Sequence, residues 1–319
     1  MTYSAGNIIL AADYNGFVST NVGANVNNVW STKYGQTALS NVAALGTVTA
    51  TQWATLNTTI SSLGAHQGTA ITSRTNPVAG NTIAILSNLN TDITNINTNF
   101  ANAASQGAQY TAWTGSASKT TSTGSGTAAW TITFTQTVTF ANATAATNFF
   151  NAGGLIKTQF SKTSTGTSED TEYNAFVTNV CANVGVYLSG ATTSHTIAGV
   201  AYTGTTARGG TGTPSTLATT TGYFNLTGTP VSLYKQFDAG AAYSSNYVEI
   251  TGAVTSSVLT LVTTWYNSGA AVSAVITGGT ATTGIAFGTA PTTITTYIPP
   301  ETTNLTSTWG TPTIASTVA

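Results

Sequence analysis

WTITFTQTVTF, Trp130 to Phe140, decides how the second half of this chain folds. Trp130, Ile132, Phe134, Val138 and Phe140 alternate with Thr131, Thr133, Thr135, Thr137 and Thr139. A period of two belongs to a strand, with one face turned to a core and the other presenting a ladder of β-branched hydroxyls. Further strands are expected at Leu155 to Ser161, Tyr223 to Leu226, Val231 to Phe237, Tyr247 to Thr251, Val258 to Tyr266, Val272 to Thr277 and Thr292 to Ile298. Gly or Pro stands between many of them, so residues 128–319 read as a mainly antiparallel, sandwich-like β domain. Thr203 to Thr221 is compositionally simple and reads as a long loop. One helix is expected inside this half, capped by Thr167 or Ser168, with Glu169, Asp170 and Glu172 in its first turn. Its apolar face would be Tyr173, Phe176, Val177, Val180, Val184 and Tyr187.

Upstream the period is helical. Tyr14, Phe17, Val18, Val22, Val26, Val29 and Trp30 fall three or four apart, and Gly16 and Gly23 divide that run into two short helices. Thr49 to Gln52 reads as a capping box opening a helix whose buried stripe is Trp53, Leu56, Ile60 and Leu63, ended by Gly64. Leu86, Leu89, Ile93, Ile96, Phe100 and Ala103 then repeat at 3, 4, 3, 4, 3, which is a heptad seam. Residues 1–115 are therefore expected to be a helical anchoring or assembly region. Residues 116–127, rich in Ser, Thr and Gly, read as a linker, and the fold class is α+β.

Across 319 residues the chain has 7 Lys+Arg, 8 Asp+Glu and 2 His, 5% charged, where an ordinary soluble domain has about 25%. Thr supplies roughly a fifth of the residues, so polarity here is hydroxyl and amide. Seven scattered cations cannot release the counterions that drive nucleic-acid binding. No apolar stretch approaches the roughly 20 residues of a membrane span, and no basic segment precedes Ile8 to Leu10 as in a secretory signal. The single cysteine, Cys181, permits neither an intramolecular disulfide nor a Cys-based zinc site.

The candidates for chemistry are few. Glu169, Asp170 and Glu172 form the one acidic cluster, which helix-dipole stabilisation explains without catalysis. Cys181 with His195 lacks a third, orienting group. His66, near a helix end, is placed to cap carbonyls. Gly124, Gly126 and Ala129 match a degenerate dinucleotide motif but precede a strand instead of following one. Asp13, Asp92, Asp238, Glu249 and Glu301 are dispersed, unlike the carboxylate pair of a glycoside hydrolase. No catalytic, cofactor or metal site is expected.

Several blocks carry a resemblance: MTYSAGNIILAADYNGFV at the start, WSTKYGQ from Trp30 to Gln36, Thr49 to Thr72, Trp130 to Ser164, and YSSNYVEITG from Tyr243 to Gly252. In that order they resemble a family of virion structural proteins of marine tailed bacteriophages, cyanophages among them. The family often has a longer, charged insertion before the WSTKYGQ-like segment and more charge near the last strands. The resemblance implies a non-catalytic component located in the virion, in the tail, baseplate, neck or fibre, with head decoration as the nearest variant. A cell-surface adhesin is the alternative of another class, with Trp265, Tyr266, Tyr297 or Trp309 stacking on host glycans. The expected partners are copies of this chain, a trimer being favoured, and other virion proteins. The heptad seam admits packing on the Trp53 helix of its own chain, sharing between subunits, or both. Uncharged residues flank it, so Trp53, Leu86, Leu89, Ile93, Ile96 and Phe100 are the assembly-interface candidates.

Overall fold

The computed structural model describes residues 10–20, 24–79, 86–102, 117–118, 130–162, 174–178, 185–190, 194–197, 200–238, 244–268, 274–276, 279–281 and 291–319. The front is helical. α1 (Ala11–Asn15) runs into a π-helical turn over Gly16–Thr20, and α2 (Val26–Trp30) follows as a separate segment. α3 (Ala50–Gln67) opens with the expected capping box: Thr49 Oγ1 accepts from the Gln52 amide at 3.2 Å, and Gln52 Oε1 accepts from the Thr49 amide at 2.9 Å. Gly64 does not end it. The helix continues to Gln67, and Gly68, at φ +63, provides the left-handed close. Gly64 serves packing instead, because a Cβ there would lie 3.0 Å from Ile71 Cγ2 and from the Thr69 carbonyl of the returning chain. α4 (Leu86–Thr98) packs with α2 and α3.

Between α2 and α3 the chain is irregular, and amide side chains take the place of a neighbouring strand. Asn27 donates to the Leu39 carbonyl and accepts from the Leu39 amide, each at 2.9 Å. Asn15 does the same for Val42, each at 2.8 Å. Gln36 does it for Thr306, at 2.8 and 2.9 Å, bridging 270 residues of sequence. A carboxamide offers one acceptor and two donors without charge, which is how so charge-poor a chain anchors a long loop.

The back is β-rich. Ala117–Ser118 (β1) lies inside the expected linker and pairs with the strand at Thr292–Ile298; residues 116 and 119–127 lie outside the described residues. β2 (Trp130–Thr139) has the predicted alternation, with Ile132, Phe134, Gln136 and Val138 buried. After it come α5 (Ala143–Asn151), β3 (Leu155–Ser161), β4 (Val186–Leu188), β5 (Ser194–Ile197), β6 (Val200–Thr203), β7 (Thr206–Arg208) and β8 (Thr216–Leu217). β9 (Val231–Phe237), β10 (Tyr247–Thr255), β11 (Val258–Asn267), β12 (Ala274–Ile276), β13 (Gly279–Ala281), β14 (Thr292–Ile298) and β15 (Thr313–Val318) complete the order. Two antiparallel sheets result, β1-β14-β3-β4-β7 and β15-β2-β11-β10-β9-β8, with two-stranded ribbons β5-β6 and β12-β13 beside them.

The sheets meet face to face. Phe160 of β3 lies 5.8 Å from the ring of Trp265 and 6.4 Å from that of Tyr234 on the other sheet. Gln136 breaks the apolar pattern of β2 for a reason visible here: its amide donates to the Thr293 carbonyl at 3.1 Å and its Oε1 accepts from Thr295 Oγ1, across the sandwich. Trp265 Nε1 adds a bond to Thr293 Oγ1 at 3.3 Å. The other face of the five-stranded sheet is also covered, where Leu155, Tyr187, Ala207 and Ile298 bury with Tyr202.

Several expectations change. Tyr223 to Leu226 is no strand; Tyr223–Asn225 is a 3-10 turn that stacks Tyr223 on Phe150 at 4.1 Å. Thr203 to Thr221 contains β7 and β8, so it is not all loop. The expected Glu169 to Tyr187 helix is described only over 174–178, which is helical, while Tyr187 belongs to β4; Glu169, Asp170, Glu172 and Cys181 lie outside the described residues. α5 was not foreseen. Asn142 caps it by accepting from the Ala145 amide at 2.8 Å, and Phe149 and Phe150 join Phe140 and Tyr223 in an aromatic cluster. One continuous core runs from Tyr14 through Trp53 and Phe149 to Trp265, so the helical front and the β back share an interior.

Candidate functional site

The assembly candidates come first. Trp53 is 2% exposed and its ring lies 5.9 Å from those of Tyr14 and Phe17. Leu89, Ile93 and Ile96 are buried in the chain's own core. α4 is also tied down by polar contacts: Gln67 donates to the Ile96 carbonyl at 3.1 Å, Tyr34 to the Phe100 carbonyl at 2.7 Å, and Arg74 pairs with Asp92. Phe100 is half-buried with Lys33 Nζ 4.8 Å from its ring centroid, and the Leu86 side chain lies outside the described residues. The seam is thus used within the chain. Trp53, Leu89, Ile93 and Ile96 are covered within the chain, α4 by α2 and α3 and Trp53 by Tyr14 and Phe17.

Front and back are joined around His66. The ring is fully buried in α3, with Nδ1 2.8 Å from Glu301 Oε1 and Nε2 3.0 Å from the Ala152 carbonyl. One ring nitrogen meets the Glu301 carboxylate and the other the Ala152 carbonyl, so the histidine links α5's C-terminal end to the loop after β14. It does not cap its own helix. Burial works to raise the Glu301 carboxyl, but hydrogen bonds from His66 and from the Asn304 side chain and amide, with the His66 charge, outweigh it and hold the group down to about 2. Tyr34 lies edge-on to His66 at 5.0 Å, and burial pushes its hydroxyl well above the usual range. These bonds satisfy the pair within the protein. Sequence spacing of 235 residues gave no signal for this contact.

The aromatic candidates for glycan stacking are mostly interior. Trp265 is 0% exposed, and Trp309 and Tyr297 are buried with it in the core. Tyr266 is half-buried on the outward face of the six-stranded sheet, in a cross-strand row with Tyr247 and Phe237. Tyr266 and Tyr247 stack at 4.8 Å, Phe237 meets Tyr247 edge-on at 5.5 Å, and Lys235 Nζ sits 3.7 Å from the Tyr247 centroid. These rings occupy one another's faces.

The rest of that outward face is hydroxyl and methyl. Register places Thr139 beside Thr313 and Val258, Thr137 beside Ala315 and Thr260, Thr135 beside Thr317 and Val262, and Thr133 beside Thr264. Lys235 with Glu249, Nζ to Oε2 3.3 Å, is the one ion pair on this face among the described residues. Such a surface can be covered by protein without stripping water from isolated charges. Among the described residues no group of three or more His, Cys, Asp or Glu is placed to hold a metal ion, and no helix is long and apolar enough to cross a membrane. His195 sits in β5 opposite Tyr202, and its candidate partner Cys181 is outside the described residues. No protein-family model, no curated protein and no solved structure matches the chain.

Proposed function

We propose that this chain is a non-catalytic virion structural protein of a tailed bacteriophage, built in as many copies, in the tail, baseplate, neck or fibre. Head decoration is the nearest variant. The observation that carries the reading is the outward face of the six-stranded sheet, where β15, β2 and β11 lie side by side in threonine-rich rows, with one Lys235–Glu249 pair among the described residues. Repeating subunits bury such a face at little electrostatic cost, whereas an ordinary surface with about a quarter of its residues charged would require each ion to find a partner. The sequence blocks that resemble marine phage virion proteins support the same reading. The assembly surface moves with it, from the α4 seam to the β2, β11 and β15 threonines. Replacing Thr135 and Thr264 by Lys, which are half-exposed, should leave the fold intact and abolish incorporation into particles. Incorporation at the wild-type level would overturn the proposal.

A further inference from the structure

A second feature lies where the front meets the back. A cavity of about 510 Å³ opens between α2, α3, the segment 36–40 and the loop at Thr306 and Thr308, within the roughly 300–1,000 Å³ of small-molecule sites. Its walls include Tyr14, Trp30, Gln52, Thr55 and Ser40, and among the described residues no charged side chain lines it. We propose that this cleft binds a neutral, polyhydroxylated ligand, a mono- or disaccharide.

The walls are preorganised. Trp30 is half-buried and its indole is held by a 2.9 Å bond from Nε1 to the Thr37 carbonyl. Gln36, behind it, spends Oε1 on the Thr306 amide and Nε2 on the Thr306 and Tyr34 carbonyls, so it is a fixed wall. Gln52, on the cleft wall, engages Oε1 in the capping box, and its Nε2 is a further donor. The Thr55 hydroxyl donates to the Thr51 carbonyl at 2.9 Å and keeps its oxygen lone pairs as acceptors. A sugar matches this set: its C–H face packs on an aromatic ring, and its hydroxyls both donate and accept. Phosphorylated, carboxylated and cationic ligands are disfavoured, since they would enter a partly dry site with no countercharge. The Tyr247–Tyr266 row offers no equal, because Tyr247 is already stacked on Tyr266 and covered by Lys235 Nζ.

Saturation-transfer NMR on the whole protein tests this with glucose, N-acetylglucosamine, maltose and cellobiose as probes. Thr55 and Ser40 are exposed positions on opposite walls, so Thr55→Tyr and Ser40→Tyr each fill the cleft from its rim; Ser61→Tyr, exposed on α3 away from it, is the control. At least one sugar should show transfer with the wild type and with Ser61→Tyr, and lose it with whichever filled variant melts like the wild type. Absence of transfer for all four sugars, persistence of transfer in a folded filled variant, or equal loss in Ser61→Tyr overturns the proposal. None of these results bears on particle incorporation, which is read on the sheet face by the Thr135 and Thr264 variant, at residues that do not line the cleft.

Discussion

Replacing Glu301 by Gln keeps the shape of the side chain and one acceptor oxygen for His66 and the Asn304 side chain, and it removes the charge together with the Oε2 acceptor of the Thr303 and Asn304 amides. The carboxyl is held from its ordinary 4.5 down to about 2 in the fold. Each unit is worth about 1.36 kcal/mol, which makes the full shift on the order of 3 kcal/mol. Partial solvent access around Asn304 and relaxation about the amide reduce the loss expected from Glu301→Gln to about 2 kcal/mol at neutral pH. The sign follows from proton binding. Between pH about 2 and 4.5 the unfolded chain takes up a proton that the native carboxylate refuses, so the contribution is complete above about 4.5 and disappears as pH falls toward 2. Urea unfolding of wild type and variant, repeated from pH 7 to pH 2, should therefore give free energies separated by about 2 kcal/mol that converge below pH 4.5, with unchanged m-values. Parallel curves over that range, or no separation at pH 7, would show that the His66–Glu301 bond does not join front to back in the way described.

Phe150→Ala removes the ring stacked on Tyr223 at 4.1 Å and packed on Phe140 and Phe149, and should cost about 3–5 kcal/mol in a denaturant melt. Gly35 stands at φ +68, where an added Cβ would press into the Asn148 side chain and lie 2.7 Å from Thr308 Oγ1; Gly35→Ala should lower stability by more than about 2 kcal/mol and loosen the front from the back, seen as faster amide exchange in α3. Ser256, at φ +56 in the β10–β11 turn, tolerates its conformation poorly, and Ser256→Val should cost about 1–2 kcal/mol. Leu45 is fully exposed at φ +64, so Leu45→Asn should stabilise the free chain by roughly 0.5–1 kcal/mol in a thermal melt.

The strands whose period was uninterrupted were legible to the residue: Leu155–Ser161, Val231–Phe237 and Thr292–Ile298 match their expected bounds. α5 was hidden because Ala143, Thr144 and Thr147 weaken its apolar pattern, and its cap, Asn142, looks like any other asparagine in so amide-rich a chain. β15 was missed for the opposite reason: Thr313 to Val318 alternates, but Ile314 and Val318 are its only large apolar residues. The α4 seam was read as a packed face with the Trp53 helix as one partner, which α3 is, while the added cover from α2 was not legible, since a heptad does not say how many helices cover it. Contacts such as His66 with Glu301 and Gln36 with Thr306 depend on a topology that no local pattern encodes. The cleft lay outside the sequence reading as well, because Trp30 and Thr55 each read locally as helix positions.

A reconstruction of the assembled phage particle at side-chain resolution tests the assembly account most directly. The account predicts this chain repeated by symmetry, with the Thr131 to Thr139 ladder and the Thr313 to Thr317 strand face buried against a neighbouring copy or another virion protein, and the α4 seam enclosed within each subunit. A particle lacking the chain, or copies whose threonine face is bare to solvent while α4 packs between subunits, would contradict it.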